Sequence, residues 1–139
     1  MQIFYESLDQ VLERAKTALV VDVQSVSKPK DEGYWRIVDF TATLVEIIFG
    51  QLKHKKSFTC NYSQGRPHFR GQMSVSPLVS GSGLEFQVKK GDRVIFLLLN
   101  GNTDSAPPLE LLRIEDMGNI NLIRKTKIRE IRLDKSLRS

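Results

Sequence analysis

Residues 7–16, SLDQVLERAK, place Leu8, Val11, Leu12 and Ala15 at spacings of three and four. That is the period of an amphipathic helix. Ser7 is suited to cap its N-terminus, and Gln10 three residues on completes a capping box; Phe4 or Tyr5 is placed to pack ahead of it. Residues 18–27, ALVVDVQSVS, change to a period of two: Leu19, Val21 and Val23 face one way, Asp22 and Gln24 the other. KPKDEG reads as a turn. From Tyr34 to Phe49 a longer strand follows, with Val38, Phe40, Ala42 and Leu44 at even positions. Beyond Val45 the apolar set becomes Val45, Ile47 and Phe49, so the pattern changes face. Such a change predicts a bulge or a sharp bend.

Gly50 ends that strand and QLKHKK connects it onward. Residues 57–62 alternate, with Phe58, Cys60 and Tyr62 on one face. Residues 64–83 are rich in Gly, Ser and Pro and show no period, the signature of a long functional or mobile loop. Residues 85–89 read as a short strand or edge piece. Lys90-Gly91-Asp92 forms a turn into Val94–Leu99, an apolar run of strand length. Residues 100–108 are a second loop. Residues 109–115 and 119–125 read as strands joined by a hairpin at Asp116-Met117-Gly118, and 126–139 fit either helix or strand.

A strand apolar on both sides needs cover on both. Val94–Leu99 is expected to line a barrel interior with one face and to lie under the N-terminal helix or a loop with the other. The sum is a mainly β fold: an OB-type antiparallel barrel of five to six strands with an N-terminal α-helix packed on it. With 139 residues, no internal repeat and no linker, residues 1–139 form one domain.

Three stretches, LERAKTALVVDVQSV, VDFTATLVEIIFGQLKHKKSFTC and FQVKKGDRVIFLL, resemble in that order the OB-type barrel of the tissue inhibitor of metalloproteases and netrin-module superfamily. The resemblance covers residues 8–100 and includes Gly50 and Gly91. It implies a barrel whose central strand follows the third stretch. Animal inhibitors of that family set an N-terminal cysteine on the protease zinc and staple it with disulfides. This chain begins MQIFYES and has one cysteine, at mid-strand, so inhibition by that route is not implied.

Charge narrows the picture once it is located. Residues 124–139 carry seven Lys and Arg against Glu130 and Asp134, which accounts for the whole net charge of +5. The body is neutral and the end is a basic tail, whose ordinary role is a solvated surface. One cysteine permits no intrachain disulfide. MQIFYESLDQ lacks the basic and apolar regions of a signal peptide, yet a mature chain would look the same with Met1 added. The expectation is therefore a periplasmic or secreted protein if the chain is such a mature fragment, and a cytoplasmic one otherwise. No run approaches the length of a membrane span.

Candidate chemistry is sparse. His54, His68 and Cys60 do not form the close pairs of a metal site, and Lys53, Lys55 and Lys56 repel a cation around His54. Cys60 shares a strand face with Phe58 and Tyr62 and reads as a small buried hydrophobe. No G-x-S-x-G, G-x-G-x-x-G or P-loop occurs. SGSG at 80–83 reads as flexible loop, and Asp31-Glu32 and Glu115-Asp116 as solvated turn carboxylates. No cofactor, metal or catalytic residue is expected. The leading expectation is a monomeric, non-enzymatic module that presents loops 64–83 and 100–108 to a protein partner, with Arg66, His68, Phe69 and Arg70 as contact residues. The alternative is a single-stranded nucleic-acid binder. It would use the GRPHFRG loop and the basic tail, with Tyr34, Trp35, Lys55, Lys56, Arg124, Lys125 and Lys127 as stacking and phosphate-contacting groups. Against that, Trp35 at a strand start also fits a barrel plug or edge cover.

Overall fold

The computed structural model describes residues 3–53, 56–100 and 109–127. His54, Lys55, loop residues 101–108 and tail residues 128–139 lie outside the described residues. The described chain is mainly β. In order it forms β1 (Phe4–Tyr5), α1 (Leu8–Arg14), β2 (Thr17–Val26), β3 (Lys30–Glu32), β4 (Trp35–Phe49), β5 (Ser57–Gly65), β6 (His68–Arg70), β7 (Met73–Val75), β8 (Leu78–Val79), β9 (Arg93–Leu98) and β10 (Leu109–Glu115). A second helix, α2, runs over 120–127.

Helix α1 starts as the capping box requires. Ser7 Oγ accepts from the Gln10 N–H, and Gln10 Oε1 accepts from the Ser7 N–H. Extended backbone at Ala15 sends the chain directly into β2.

The main sheet is mixed and has the order β2-β9-β10-β5-β4-β3, with β2 also paired to β4. Hydrogen-bonded pairings therefore lead from β2 through β9, β10, β5 and β4 back to β2. All are antiparallel except β10 with β5, where Leu109 and Glu110 lie beside Cys60 and Asn61. The predicted change of face in β4 is a bulge. Against β2, partners step from Glu46 at Val20 to Leu44 at Val21, and Val45 is left over. That extra residue bends the long strand so that it pairs with β2 and β5 at once.

Strand β9 is buried on both sides. Val94, Phe96 and Leu98 join an inner cluster with Leu19, Val21, Phe40, Phe58 and Tyr62. Ile95 and Leu97 join a separate outer cluster with Val11, Leu12 and Ala15 of α1, Val20 of β2 and Ile123 of α2. Each large side chain buried this way contributes roughly 1.5–3 kcal/mol, which explains why five consecutive apolar residues, Val94–Leu98, are stable in one strand; Leu99, the last of the apolar run, lies beyond the strand and is exposed.

Several local expectations are corrected. KPKDEG is not only a turn: Lys30–Glu32 is β3, paired with Trp35–Ile37 through the turn at Gly33. Residues 64–83 are not irregular; they contain the β6–β7 hairpin, turned at Gly71, and β8, which lies parallel to β1. Residues 85–89 are not a strand, because Leu84–Phe86 is a single 3₁₀ turn. No hairpin forms at 116–118. Asp116 accepts from the Gly118 N–H, Met117–Asn119 makes a 3₁₀ turn, and the chain continues into α2. The helix wins there because Met117, Ile120 and Ile123 recur every third residue and all meet the outer cluster.

Candidate functional site

The segment after β5 divides into two parts with opposite character. In the second part Glu85 is fully buried. Its carboxylate accepts from the N–H groups of Ser82 (3.0 Å), Gly83 (2.9 Å) and Ile114 (2.8 Å). Beside it, buried Arg113 donates from Nε to the Ser80 carbonyl (2.5 Å) and from its terminal nitrogens to Glu115 (3.2 Å), Gly81 O (3.2 Å) and Glu6 O. Asn119 donates to the other oxygen of Glu115 (2.8 Å). Arg113 and Glu115 are tolerated in the interior because their charges are paired, and Glu85 because N–H groups from three residues meet its two oxygens. SGSG is thus a fixed cradle rather than a flexible loop, and Glu115 is buried rather than solvated. The Tyr62 hydroxyl donates to Gln64 Oε1 (2.8 Å); burial, and then the charge of Glu85, push its ionisation up. Cys60 is buried on the inner face with its thiol pushed up by burial and next by Asp39, which leaves it a protonated, unreactive group.

The first part and the β3–β4 turn beside it carry exposed apolar side chains. Tyr34 is 57% exposed, Trp35 53%, Phe69 64% and Met73 70%, and Leu78, Phe4 and Tyr5 are exposed nearby along the β1–β8 pairing. Scattered exposed apolar residues are ordinary, whereas a group of aromatic ones is the informative case. Tyr34 stacks on His68 with ring centroids 3.9 Å apart. His68 Nδ1 lies 2.8 Å from the Arg66 carbonyl, and the Arg66 N–H donates to the Tyr34 carbonyl at 2.7 Å. Arg66 also reaches Asp31 at 3.7 Å. A side chain at Gly65 would press on Pro77 and touch the Trp35 ring, so the glycine gives Trp35 and Pro77 room over β5. Trp35 is neither a plug nor buried.

Of the contact residues expected from sequence, Tyr34, Arg66 and His68 come together, Trp35 lies beside them opposite Gly65, and Phe69 and Arg70 sit on the adjoining hairpin. The remaining basic candidates do not join them. Lys56 precedes the opposite end of β5. Arg124 pairs with Glu46, and Lys127 lies over the Phe49 ring and donates to the Leu12 carbonyl. Lys125 is on the same helix. The expected nucleic-acid set is therefore split between two regions of the molecule.

Sequence reading missed the cleft beside this face. About 290 Å³ in volume, it is bounded by Trp35, Leu78, Leu99 and Leu112, with Ser63, Glu110 and the Glu6–Arg14 ion pair also lining it. The hydrogen bond from Arg14 holds the Glu6 carboxyl below the usual carboxylate range. The one sequence signal was Glu110, the acid that follows Leu109 at the start of the strand LELLRIE and the one exposed residue of that strand. A larger groove of about 410 Å³ lies between Ser25–Ser27, Asp39–Thr41 and Thr59–Cys60, is lined mainly by apolar surface and has no exposed aromatic wall. Among the described residues no group of three or more His, Cys, Asp or Glu is arranged to hold a metal ion, and no helix is long and apolar enough to cross a membrane. No protein-family model matches the chain, and no curated protein sequence is similar to it.

Proposed function

We propose that the chain is a non-enzymatic interaction module whose contact surface is the face around Tyr34, Trp35, His68 and Phe69. The carrying observation is the coincidence of four large, mostly exposed apolar side chains on two neighbouring hairpins, beside a segment fixed by buried charge. Aromatic residues on a rigid support are the usual anchors of protein interfaces. The scaffold we propose is an OB-type barrel of the tissue-inhibitor and netrin kind. The return of the pairings to β2, the bulge at Val45 and the two-sided burial of β9 support that reading. The partner is a protein and the chain itself is monomeric.

Splitting of the basic side chains favours a protein over a nucleic-acid strand, since a phosphate-tracking groove needs positive charge along one path. The test is affinity capture with the full chain and with a Trp35→Ala/Phe69→Ala variant of unchanged unfolding midpoint. The native chain should retain a defined protein that the variant loses, with little dependence on salt. Equal capture by both, or capture of nucleic acid that falls steeply with salt, overturns the reading.

A further inference from the structure

The cleft beside Trp35 has a more specific chemistry than the aromatic face it adjoins. Among the described residues its one cation, Arg14, is already paired with Glu6. Glu110 projects outward from β10, is exposed, and makes no ion pair or side-chain hydrogen bond among the described residues. The Ser63 hydroxyl is likewise without a partner among them. The cleft therefore carries one uncompensated negative charge. Trp35, the chain's single tryptophan, forms a half-exposed aromatic wall, and Leu78, Leu99 and Leu112 form aliphatic ones.

Resting on the interaction reading above, we infer that this cleft receives a Lys or Arg side chain from the protein partner. Three features of a basic side chain match three features of the cleft. The methylene stem suits the leucine walls, as long basic side chains lie along apolar surface. The charged head suits the face of an indole, the best aromatic partner for a cation. Its N–H groups suit Glu110 and Ser63 as acceptors. An acidic side chain finds two carboxylates and a guanidinium already engaged. A bare metal ion finds a single free carboxylate, too few ligands for any hard cation.

Trp35 supplies the readout. Random dodecapeptides displayed on phage are selected against the full chain, and the selected sequences are synthesised, labelled and titrated by anisotropy and by Trp35 fluorescence. The selected peptides should hold Lys or Arg at one fixed position and perturb the Trp35 emission. Glu110→Gln should weaken them about tenfold, the loss expected for one partly desolvated charge contact. Glu110→Lys should turn the selection at that position toward Asp or Glu.

Selected peptides without a fixed basic residue, or with equal affinity for native and Glu110→Gln chains, overturn the inference. If those peptides still lose binding to Phe69→Ala, the interaction reading stands without the cation site. If no peptide enriches while oligothymidylate quenches Trp35 with steep salt dependence, both readings fall. No enrichment and no quenching also overturns the cation site.

Discussion

Residues 66–75 and 78–86 follow one another in a part of the chain with no clear hydrophobic period, yet they behave as opposites. The later stretch wraps the buried Glu85 carboxylate and the Arg113 guanidinium, and its backbone N–H and C=O groups are used up in doing so. The earlier stretch folds on itself as a two-stranded hairpin and leaves Phe69 and Met73 in solvent. Periodicity cannot separate them. What does is a pair of ionic side chains contributed from inside the fold, one of them from β10, some thirty residues away. Buried hydrogen bonds are concentrated in the later stretch, and the earlier one leaves its large apolar side chains in solvent.

The contrast is broken most severely by removing Glu85. Glu85→Ala leaves three buried N–H groups without an acceptor and should cost about 3–5 kcal/mol of unfolding free energy in urea. Arg113→Met should cost a similar amount, because Glu115 is then buried without its counter-charge. If either variant keeps its native midpoint, the cradle does not organise the segment. A smaller loss comes from crowding it. A methyl at Gly81 would overlap the Tyr62 hydroxyl and Glu85, so Gly81→Ala should cost about 1–3 kcal/mol, read from the same titration.

Acid should act on two ion pairs, Glu6 with Arg14 at α1 and Asp22 with Arg93 between β2 and β9. The folded pKa of Glu6 is lowered, chiefly by the hydrogen bond from Arg14, and that of Asp22 is lowered by Arg93. A carboxyl with a depressed folded pKa adds stability above its unfolded value of about 4.3 for Glu or 3.9 for Asp, and loses it as pH falls through the folded value. Thermal midpoints should therefore fall below about pH 4, and Glu6→Gln should flatten part of that fall. An unchanged pH profile in Glu6→Gln means that the Glu6–Arg14 ion pair does not contribute to the fall. The least effect is expected on the exposed side: Arg66→Ala breaks only a loose surface pair with Asp31 and should shift stability by about 0.5 kcal/mol or less.

Much of the scaffold was legible because its signals are local. Ser7 and Gln10 marked the helix start, Val45 marked the bulge, and Val94–Leu99 demanded cover on two sides. Elements decided at long range were not. Glu85 has no distinguishing neighbours, since its meaning depends on the Ile114 amide. Asp116-Met117-Gly118 resembled a hairpin turn because turn residues and helix caps use the same chemistry, although Met117, Ile120 and Ile123 already carried a helical spacing. At the proposed contact face, Tyr34 and Trp35 were visible as stacking candidates and His68 as a contact residue. Their meeting depends on β4 and β5 pairing up to Trp35 and Gly65, which no local pattern reports. The basic groups were grouped by type, and folding placed Arg124 and Lys127 against Glu46 and Phe49 instead.

The most direct measurement is the urea unfolding midpoint of a Phe69→Ala/Met73→Ala variant of the full chain. A face kept free for a partner predicts a stability within about 0.5 kcal/mol of native, as for other exposed positions. A loss of about 2 kcal/mol or more, the size of a core truncation, would mean that these side chains pack against the chain itself and that no such face exists.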